Sequence, residues 1–323
     1  MMKSILSGEH GAVLGELEKP QVMPNHVLVQ IKACALNRAD LNMLTGATHG
    51  FVGGLGFPVG VEWAGEIVEV GEAVQPWQVG DRVMGAGPGA FSEYTLANAA
   101  WIYPIPDNLS FEQAATLPVA LQTTHDAIVT NGQLQADDHV LVVGASSAVG
   151  LMAMQVAKYL GAKQVIGTST TPDKLEKLAE FGADATVNTK DEDWAKQVLK
   201  LTKRKGADLV IDFLAGPLFN ATMSVTKIAG TIVNVGRMAG ETGEVDFDQH
   251  SMRRINYKGV SFRTRNPDEI AEVIQKAKDA LIPALAEGQI KMPIDAVYPF
   301  EQFNDAFDKM KKNQHFGKIV LTL

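Results

Sequence analysis

Short apolar segments alternate with segments of helical periodicity through the second half of this chain. Six apolar segments have the length of a strand, at residues 140–143, 165–167, 185–187, 209–211, 231–235 and 260–262. Each of the five segments between them could form a crossover helix. Continuously apolar strands are typical of burial on both faces, and parallel neighbours need a long crossover. The pattern therefore predicts an α/β fold with a doubly wound parallel sheet.

The first part of the chain has a different pattern. Residues 27–31 and 65–70 alternate apolar and polar side chains, and glycine and proline clusters separate such segments, which is typical of a β-rich domain. A helical stretch at residues 267–287 and a strand at 319–321 follow the parallel sheet. The length of 323 residues fits two domains at roughly 100–200 residues each.

The charge distribution limits the possible partners. The chain has 29 Lys and Arg against 37 Asp and Glu, a net charge of −8, and its longest basic run is residues 203–205. We expect no nucleic-acid partner, because backbone binding needs a positive face. Residues 140–157 lack charge but contain Gly144 and Gly150, so a strand and a helix start explain them better than a membrane span. The N-terminus lacks the apolar core of a secretory signal, and we expect a cytoplasmic protein.

The first strand of the predicted sheet runs into a turn that suits a phosphate. The turn consists of Gly144, Ala145, Ser146, Ser147, Ala148, Val149 and Gly150. Leu151, Met154 and Ala157 then recur every three residues, so a helix begins directly after the turn. Backbone N–H groups in such a unit point at a pyrophosphate, and small residues let it approach. The middle of the turn departs from G-x-G-x-x-G, so a sharp turn without a ligand is the alternative.

The residues that end the second strand indicate which dinucleotide the turn would bind. An acidic residue about 20 positions after the turn would accept the ribose hydroxyl of NAD. Here the chain has Thr168, Ser169 and Thr170, followed by Lys174. Hydroxyl donors and a positive charge suit a 2′-phosphate, which favours NADPH over NADH. Thr171 and Pro172 also suit an ordinary helix start, and the acidic Asp173 argues against the phosphate assignment.

The chain contains one cysteine, Cys34. A single cysteine excludes an intramolecular disulfide framework and any zinc site built from several thiolates. Its position close to the alternating residues 27–31 favours a small buried thiol over a reactive one.

Several short motifs, taken in order, resemble those of the medium-chain dehydrogenase/reductase superfamily. Residues 60–65, Gly-Val-Glu-Trp-Ala-Gly, are similar to its G-H-E-x-x-G signature, and residues 80–83, Gly-Asp-Arg-Val, to the segment that follows it. Residues 117–123, the turn at residues 144–150 and the C-terminal residues 315–321 are further matches. The resemblance implies a GroES-like catalytic domain at residues 1–117 and 266–323, a Rossmann domain at residues 118–265, and a homodimer.

Two departures from the superfamily pattern exclude a catalytic zinc. Zinc-dependent members have a cysteine in a C-x-x-D segment and a histidine in G-H-E, and this chain has Asn37 and Val61 at those positions. Neither an amide nor an alkyl side chain replaces a thiolate or an imidazole as a zinc ligand. We therefore expect no metal, and the resemblance narrows to the zinc-free branch of quinone oxidoreductases and enoyl or enone reductases.

This resemblance implies hydride transfer from NADPH to an α,β-unsaturated carbonyl, such as an enone or enal, or to a quinone. The cofactor supplies the hydride, and hydrogen-bond donors must meet the negative charge that develops on the carbonyl oxygen. By resemblance, Asn37 hydrogen-bonds the nicotinamide or the substrate, and Asp40 orients their loop or is purely structural. Thr123 would bond the carboxamide, with a helix N-cap as its alternative role.

Other candidates lie at neighbouring positions. Many quinone reductases carry a tyrosine and an arginine where this chain has Asn42 and Leu44, which leaves quinone specificity open. Asn42 could donate an amide hydrogen bond, and His125 could supply a proton near neutral pH or be a solvated or structural histidine. Gly236 and Arg237 follow the fifth strand, where ligands bind in such sheets. Arg237 could pair with cofactor phosphate or a substrate acid, or form a surface ion pair. A non-catalytic NADPH-binding sensor or interaction protein is the alternative function.

Overall fold

The structure, a computed structural model, describes residues 1–50 and 52–323. The chain forms two compact units. Unit 1 contains Met1–Gln122, Phe262–Gly288 and Met292–Leu323, and unit 2 contains Thr123–Ser261 and Gln289–Lys291. The boundaries predicted from the sequence are 117/118 and 265/266.

The described residues form the following strands and helices. The strands are β1 (Met2–Leu6), β2 (Val13–Leu17), β3 (His26–Ala35), β4 (Thr48–His49), β5 (Val52–Gly53), β6 (Glu62–Val70), β7 (Arg82–Ala86), β8 (Tyr94–Asn98), β9 (Ile102–Pro104), β10 (His139–Val143), β11 (Gln164–Ser169), β12 (Ala185–Asn188), β13 (Ala207–Asp212), β14 (Thr226–Asn234), β15 (Asn256–Gly259), β16 (Ile294–Pro299) and β17 (Lys318–Thr322). The α-helices are α1 (Arg38–Met43), α2 (Phe111–Ala115), α3 (Pro118–His125), α4 (Ala148–Tyr159), α5 (Pro172–Lys177), α6 (Trp194–Leu201), α7 (Phe219–Val225), α8 (Phe247–Arg253), α9 (Pro267–Ala286) and α10 (Phe303–Lys311).

Unit 2 contains a six-stranded sheet in the order β12-β11-β10-β13-β14-β15. Every neighbouring pair is parallel, and one helix from α4 to α8 lies in each connection along the chain. The order reverses between β10 and β13, and ligands bind outside the carboxyl ends of the strands at such a point. The predicted doubly wound parallel sheet is confirmed. Helix α5 also begins as predicted, with Thr171 as N-cap and Pro172 in its first turn.

The sixth strand lies earlier in the chain than the sequence predicted. We predicted it at residues 260–262, but β15 spans Asn256–Gly259 and pairs with β14. Asn256, Tyr257 and Gly259 are exposed, whereas Val260, just beyond the strand, is 5% exposed. A strand at the edge of the sheet does not need a continuous apolar segment, so hydropathy identified the buried residue after it instead. This prediction was wrong.

Unit 1 is built around a seven-stranded sheet in the order β16-β17-β3-β6-β7-β9, in which β8 also pairs with β3. Its core includes Ile31, Trp63 and Phe91. Strand β3 is antiparallel to both of its neighbours β6 and β17. The carboxyl end of β3 therefore lies beside the amino ends of β6 and β17, which brings residues 37, 62 and 318 together.

Among residues 1–50 and 52–323, no helix combines the length and the apolar character needed to cross a membrane.

Candidate active site

The turn after β10 is held by the neighbouring strand β11. Gly144 has φ +87°, a left-handed conformation that a side chain would strain. Its N–H donates to the Thr168 hydroxyl at 3.1 Å, and the Ala145 N–H donates to the Thr168 carbonyl at 2.9 Å. Thr168 is fully buried, so its hydroxyl stabilises the turn rather than facing solvent.

Helix α4 begins with a close approach of two backbone segments. A Cβ on Gly150 would lie 2.5 Å from the Gly144 carbonyl oxygen, so only glycine lets the helix start pack against the turn. The Ser147 hydroxyl caps the helix by accepting the Gly150 N–H at 3.1 Å. The N–H groups of Ala148 and Val149, in the first helical turn, have no acceptor within residues 1–50 and 52–323. Such N–H groups at a helix N-terminus fit the phosphates of a dinucleotide.

The end of β11 lies beside this turn. The Ser146 and Ser169 hydroxyls are 2.9 Å apart, and the Ser169 hydroxyl accepts the Thr171 N–H at 3.3 Å. Ser169 is 5% exposed and links the strand to the turn. Thr170 is exposed, and Lys174 on α5 is half-buried. Thr170 and Lys174 are therefore the accessible members of the group predicted to bind a 2′-phosphate.

Asp212, the last residue of β13, belongs to the same edge of the sheet and was not predicted from the sequence. Its Oδ1 accepts the N–H groups of Leu214 and Ala215 at 2.9 and 3.0 Å, which holds the loop after β13. Burial raises the pKa of its carboxyl, and the two N–H donors oppose that rise. An acidic residue directly after the apolar residues 209–211 was the available signal.

Gly236 and Arg237 follow β14 at this edge. A Cβ on Gly236 would lie 2.6 Å from the Phe213 carbonyl oxygen, so the glycine permits close packing of two loops. The Arg237 guanidinium donates to Asn234 Oδ1 at 3.4 Å, and Asn234 Nδ2 donates to the Gly236 carbonyl at 2.9 Å. Arg237 thus contacts a neutral amide and places a positive charge at the carboxyl edge of the sheet.

In unit 1, Asn37 and Asp40 form the start of helix α1. The Asn37 N–H donates to Asp40 Oδ2 at 2.6 Å. Burial raises the pKa of the Asp40 carboxyl to about 8, although the Asn37 N–H and Lys318 act to lower it. The carboxyl is therefore neutral at pH 7. Its Oδ1 has no hydrogen-bond partner among the described residues, which is less unfavourable for a neutral carboxyl than for a buried carboxylate.

The remaining candidates lie in different surroundings. Thr123 lies inside α3, which spans Pro118–His125, so the N-cap role considered for it is wrong. His125 is 4% exposed and is not a solvated histidine. Asn42 is exposed on α1, and Leu44 after it is buried. Their contacts with a ligand stay predictions.

A buried ion pair joins β6 to β17, and it was not predicted from the sequence. The Lys318 ammonium forms a salt bridge with Glu62 Oε1, and the two side chains are 3% and 0% exposed. Glu62 Oε2 accepts the N–H of Val119, in the first turn of α3, at 3.1 Å. A charged residue beginning each of two buried apolar strands was the available signal. Nothing local in the sequence pairs the two residues.

The ion pair contacts both ends of the Asn37 side-chain amide. Asn37 Oδ1 accepts from Lys318 Nζ at 2.7 Å. Asn37 Nδ2 donates to Glu62 Oε1 at 2.8 Å and to the Ala35 carbonyl at 3.4 Å. Nδ2 thus faces two protein acceptors, and Oδ1 faces Lys318 and lies in the capping box with the Asp40 N–H at the start of α1. We call Asn37, Glu62 and Lys318 the amide cluster.

Cys34 lies close to this cluster. It is fully buried, as predicted, and burial raises the pKa of its thiol. No group of three or more His, Cys, Asp or Glu side chains that could hold a metal ion occurs within residues 1–50 and 52–323.

Two family models match this chain. A model described as an alcohol dehydrogenase GroES-like domain matches residues 23–107. A model described as a zinc-binding dehydrogenase matches residues 148–279. The first match lies in unit 1, and most of the second lies in unit 2.

Three curated relatives show how far the similarity extends. The chain is 30% identical to the synaptic vesicle membrane protein VAT-1 homolog of Danio rerio, over 94% of this chain and 65% of that protein. It is 31% identical to the highly reducing polyketide synthase phiA of a fungal species, over 91% of this chain and 11% of the synthase. It is 28% identical to a quinone oxidoreductase-like protein 2 homolog of Nematostella vectensis, over 95% of this chain and 87% of that protein. The chain thus spans less than two thirds of the first two relatives.

Solved structures with the same fold cover essentially the whole chain. A quinone oxidoreductase of Pseudomonas syringae has a TM-score of 0.87 and 28% identity over 100% of both chains. An NAD-dependent alcohol dehydrogenase has a TM-score of 0.86 and 27% identity over 100% of both chains. The CurK enoyl reductase has a TM-score of 0.87 and 25% identity over 99% of both chains.

Proposed function

We propose that this chain, which belongs to the zinc-free branch of the medium-chain dehydrogenase/reductase superfamily, uses NADPH to reduce an enone, an enal or a quinone without a metal. The observation that carries the proposal is the turn between β10 and α4. It lies at the point where the strand order reverses, and the N–H groups of Ala148 and Val149 have no acceptor among the described residues, as a dinucleotide site requires.

The residues of unit 2 would hold the cofactor. The turn at residues 144–150 binds the pyrophosphate, and Thr170 and Lys174 bind the 2′-phosphate through a hydroxyl and a positive charge. Arg237 adds a positive charge at the carboxyl edge of the sheet, and Thr123 bonds the carboxamide. Bound NADPH supplies a hydride to the β-carbon of an electron-poor C=C or to a quinone.

The protein must stabilise the negative charge that develops on the acceptor oxygen, and this requires hydrogen-bond donors. The Asn37 amide protons are directed at Glu62 and Ala35. The exposed amide of Asn42 is therefore the better donor of the two asparagines. His125 is the candidate proton source.

A panel of acceptors tests the proposed function. The protein is mixed with NADPH and, in turn, with an enone, an enal and a quinone, and the absorbance of NADPH at about 340 nm is followed. We expect acceptor-dependent oxidation of NADPH. Binding of NADPH, measured by its fluorescence, without oxidation on any acceptor would favour the non-catalytic sensor instead. Stoichiometric zinc in the purified protein would contradict the metal-free reaction.

The preference for NADPH is tested by Lys174→Ala. We expect KM for NADPH to rise about 10- to 100-fold, because one hydrogen bond to a charged group is worth about 1.5–3 kcal/mol. KM for NADH should stay within about twofold, since NADH has no 2′-phosphate. Steady-state kinetics with both cofactors and the best acceptor measures the two values.

Lys177→Ala is the matched control for this experiment. Lys177 is exposed in the last turn of the same helix, α5, so its removal changes the net charge of the helix equally. An unchanged KM for NADPH in Lys174→Ala, or an equal rise in Lys177→Ala, would show that the 2′-phosphate assignment is wrong.

The homodimer implied by the resemblance is part of the proposal. Phe247 and Met252 on α8 and Tyr257 on β15 are 78%, 73% and 48% exposed. We propose that these side chains, on α8 and on the strand that follows it, face the second copy. Strand β15 ends the parallel sheet, so its outer edge offers backbone groups to a second copy.

A further inference from the structure

We infer that the buried Glu62–Lys318 pair is a positioning device that fixes the Asn37 amide in one orientation, with Oδ1 towards Lys318 and Nδ2 towards Glu62. Glu62 and Lys318 act through Asn37 and are positioning residues. The kinetic consequence of this inference rests on the proposed function, whereas the orientation itself does not.

The orientation follows from the chemistry of the two charged groups. An ammonium only donates hydrogen bonds, and a carboxylate only accepts them. Lys318 Nζ therefore requires Oδ1 of Asn37, and Glu62 Oε1 requires Nδ2, as the distances of 2.7 and 2.8 Å show. In the reversed orientation, Nδ2 would face the Lys318 ammonium, so that two donors would meet. Oδ1 would then face Glu62 Oε1, so that two acceptors would meet.

The burial of the pair makes this selection strong. The Glu62 and Lys318 side chains are 0% and 3% exposed, so water does not replace the lost partners in the reversed orientation. Hydrogen bonds to charged groups are about twice as strong as those between neutral groups. Stability alone does not require an ion pair at this place, because buried pairs are often replaced by apolar side chains without loss of stability.

The fixed orientation determines which atoms of Asn37 face acceptors. Nδ2 faces the acceptors Glu62 and Ala35, and Oδ1 faces the ammonium of Lys318. A developing oxyanion needs a donor, and the donating Nδ2 is already held by these acceptors.

The same pair also holds a second segment. Glu62 Oε2 accepts the Val119 N–H in the first turn of α3, the helix that carries Thr123. A carboxylate at this end of the helix is also favoured by the helix dipole. One buried pair thus holds the starts of both α1 and α3. Helix α1 carries Asn42 and helix α3 carries Thr123, and both residues are assigned to the proposed site.

The orientation can be measured without substrate. In protein labelled with [15N]asparagine, the Asn37 side-chain signals are identified by their loss in Asn37→Ser. We expect these protons to exchange with solvent at least about 10-fold more slowly than those of Asn42, the exposed asparagine on the same helix. In Glu62→Gln/Lys318→Met, which removes both charges, we expect exchange as fast as that of Asn42. Lys318→Arg keeps a cation that only donates, and it should keep the slow exchange.

Kinetics separates positioning from a merely structural role. In the double variant we expect kcat to fall about 10- to 100-fold, because small misplacements of a site residue have effects of this size. KM for NADPH should rise much less than in Lys174→Ala, since the proposed phosphate contacts are made elsewhere. A folded double variant with kcat within about twofold of wild type would overturn the positioning role.

The two readouts distinguish this inference from the proposed function. If the wild-type protein reduces no acceptor, the proposed function is wrong. Slow exchange of the Asn37 amide protons in that same protein would still support the fixed orientation. A wild-type Asn37 amide that exchanges as fast as Asn42 overturns the inference whatever the activity, even where the double variant does not fold.

Discussion

Replacing Lys318 with methionine is expected to lower the free energy of unfolding by about 3–5 kcal/mol, the typical loss when one partner is removed from a buried ion pair. Glu62 would keep the hydrogen bonds from Asn37 Nδ2 and the Val119 N–H but would have no opposite charge. Methionine fills a similar volume, so the loss reports the uncompensated carboxylate rather than a cavity. Urea unfolding at pH 7, followed by far-UV circular dichroism, measures the change.

A surface ion pair supplies the matched control. Lys276 and Glu272 on α9 are 2.6 Å apart and 48% and 64% exposed. Lys276→Met should change the free energy of unfolding by less than about 0.5 kcal/mol, because solvent screens such pairs. Glu62→Gln/Lys318→Met should recover most of the stability lost in the single variant. A loss in Lys318→Met no larger than that in Lys276→Met would contradict a buried charge at Glu62.

The second large effect is a pH dependence that originates at Asp40. The pKa of this fully buried carboxyl is raised from 3.8 to about 8, mainly by burial. Between about pH 4 and 8 the folded protein keeps a proton that the unfolded chain releases. Folding therefore binds a proton in this range, and the contribution of Asp40 to stability falls as the pH rises. The slope is at most about 1.4 kcal/mol per pH unit.

Asp40→Asn removes the titration and keeps an acceptor for the Asn37 N–H. From pH 5 to pH 8 we expect the stability of the variant to rise relative to wild type by about 2–4 kcal/mol. Urea unfolding of both proteins at the two pH values measures this difference, in which the effects of other titrating groups cancel. Asp137→Asn, at an exposed carboxylate, controls for the loss of charge. An equal pH dependence in wild type and Asp40→Asn would show that Asp40 is already ionised at pH 5.

The parallel sheet was predictable because its signal is local. A strand buried on both faces must be apolar throughout, and the apolar residues of the helix after it recur at the helical period. Each strand and its following helix, such as residues 140–157 or 165–177, therefore carry a recognisable pattern of their own. The prediction failed at β15, where an edge strand with exposed Asn256 and Tyr257 lacks that pattern. Burial, not pairing, is what a hydropathy pattern reports.

The turn at residues 144–150 was also predictable in outline. Gly144 and Gly150 are needed for a positive φ and for a close backbone approach, and both requirements leave glycine in the sequence. Which hydroxyls stabilise the turn and which are exposed was not predictable. Thr168 and Ser169 turn inward to stabilise the turn while Thr170 is exposed, and this depends on how β10 and β11 pair.

The sequence by itself determined that this chain has a parallel dinucleotide-binding sheet and that it lacks zinc ligands at residues 37 and 61, since both follow from residue types at fixed local positions. Only the tertiary structure decided what surrounds Asn37. Glu62 and Lys318 are 256 residues apart, and they meet because β3 lies antiparallel between β6 and β17. Nothing in a sequence indicates that two opposite charges so far apart will pair, because the distance between them in space is set by the order of the strands in the sheet.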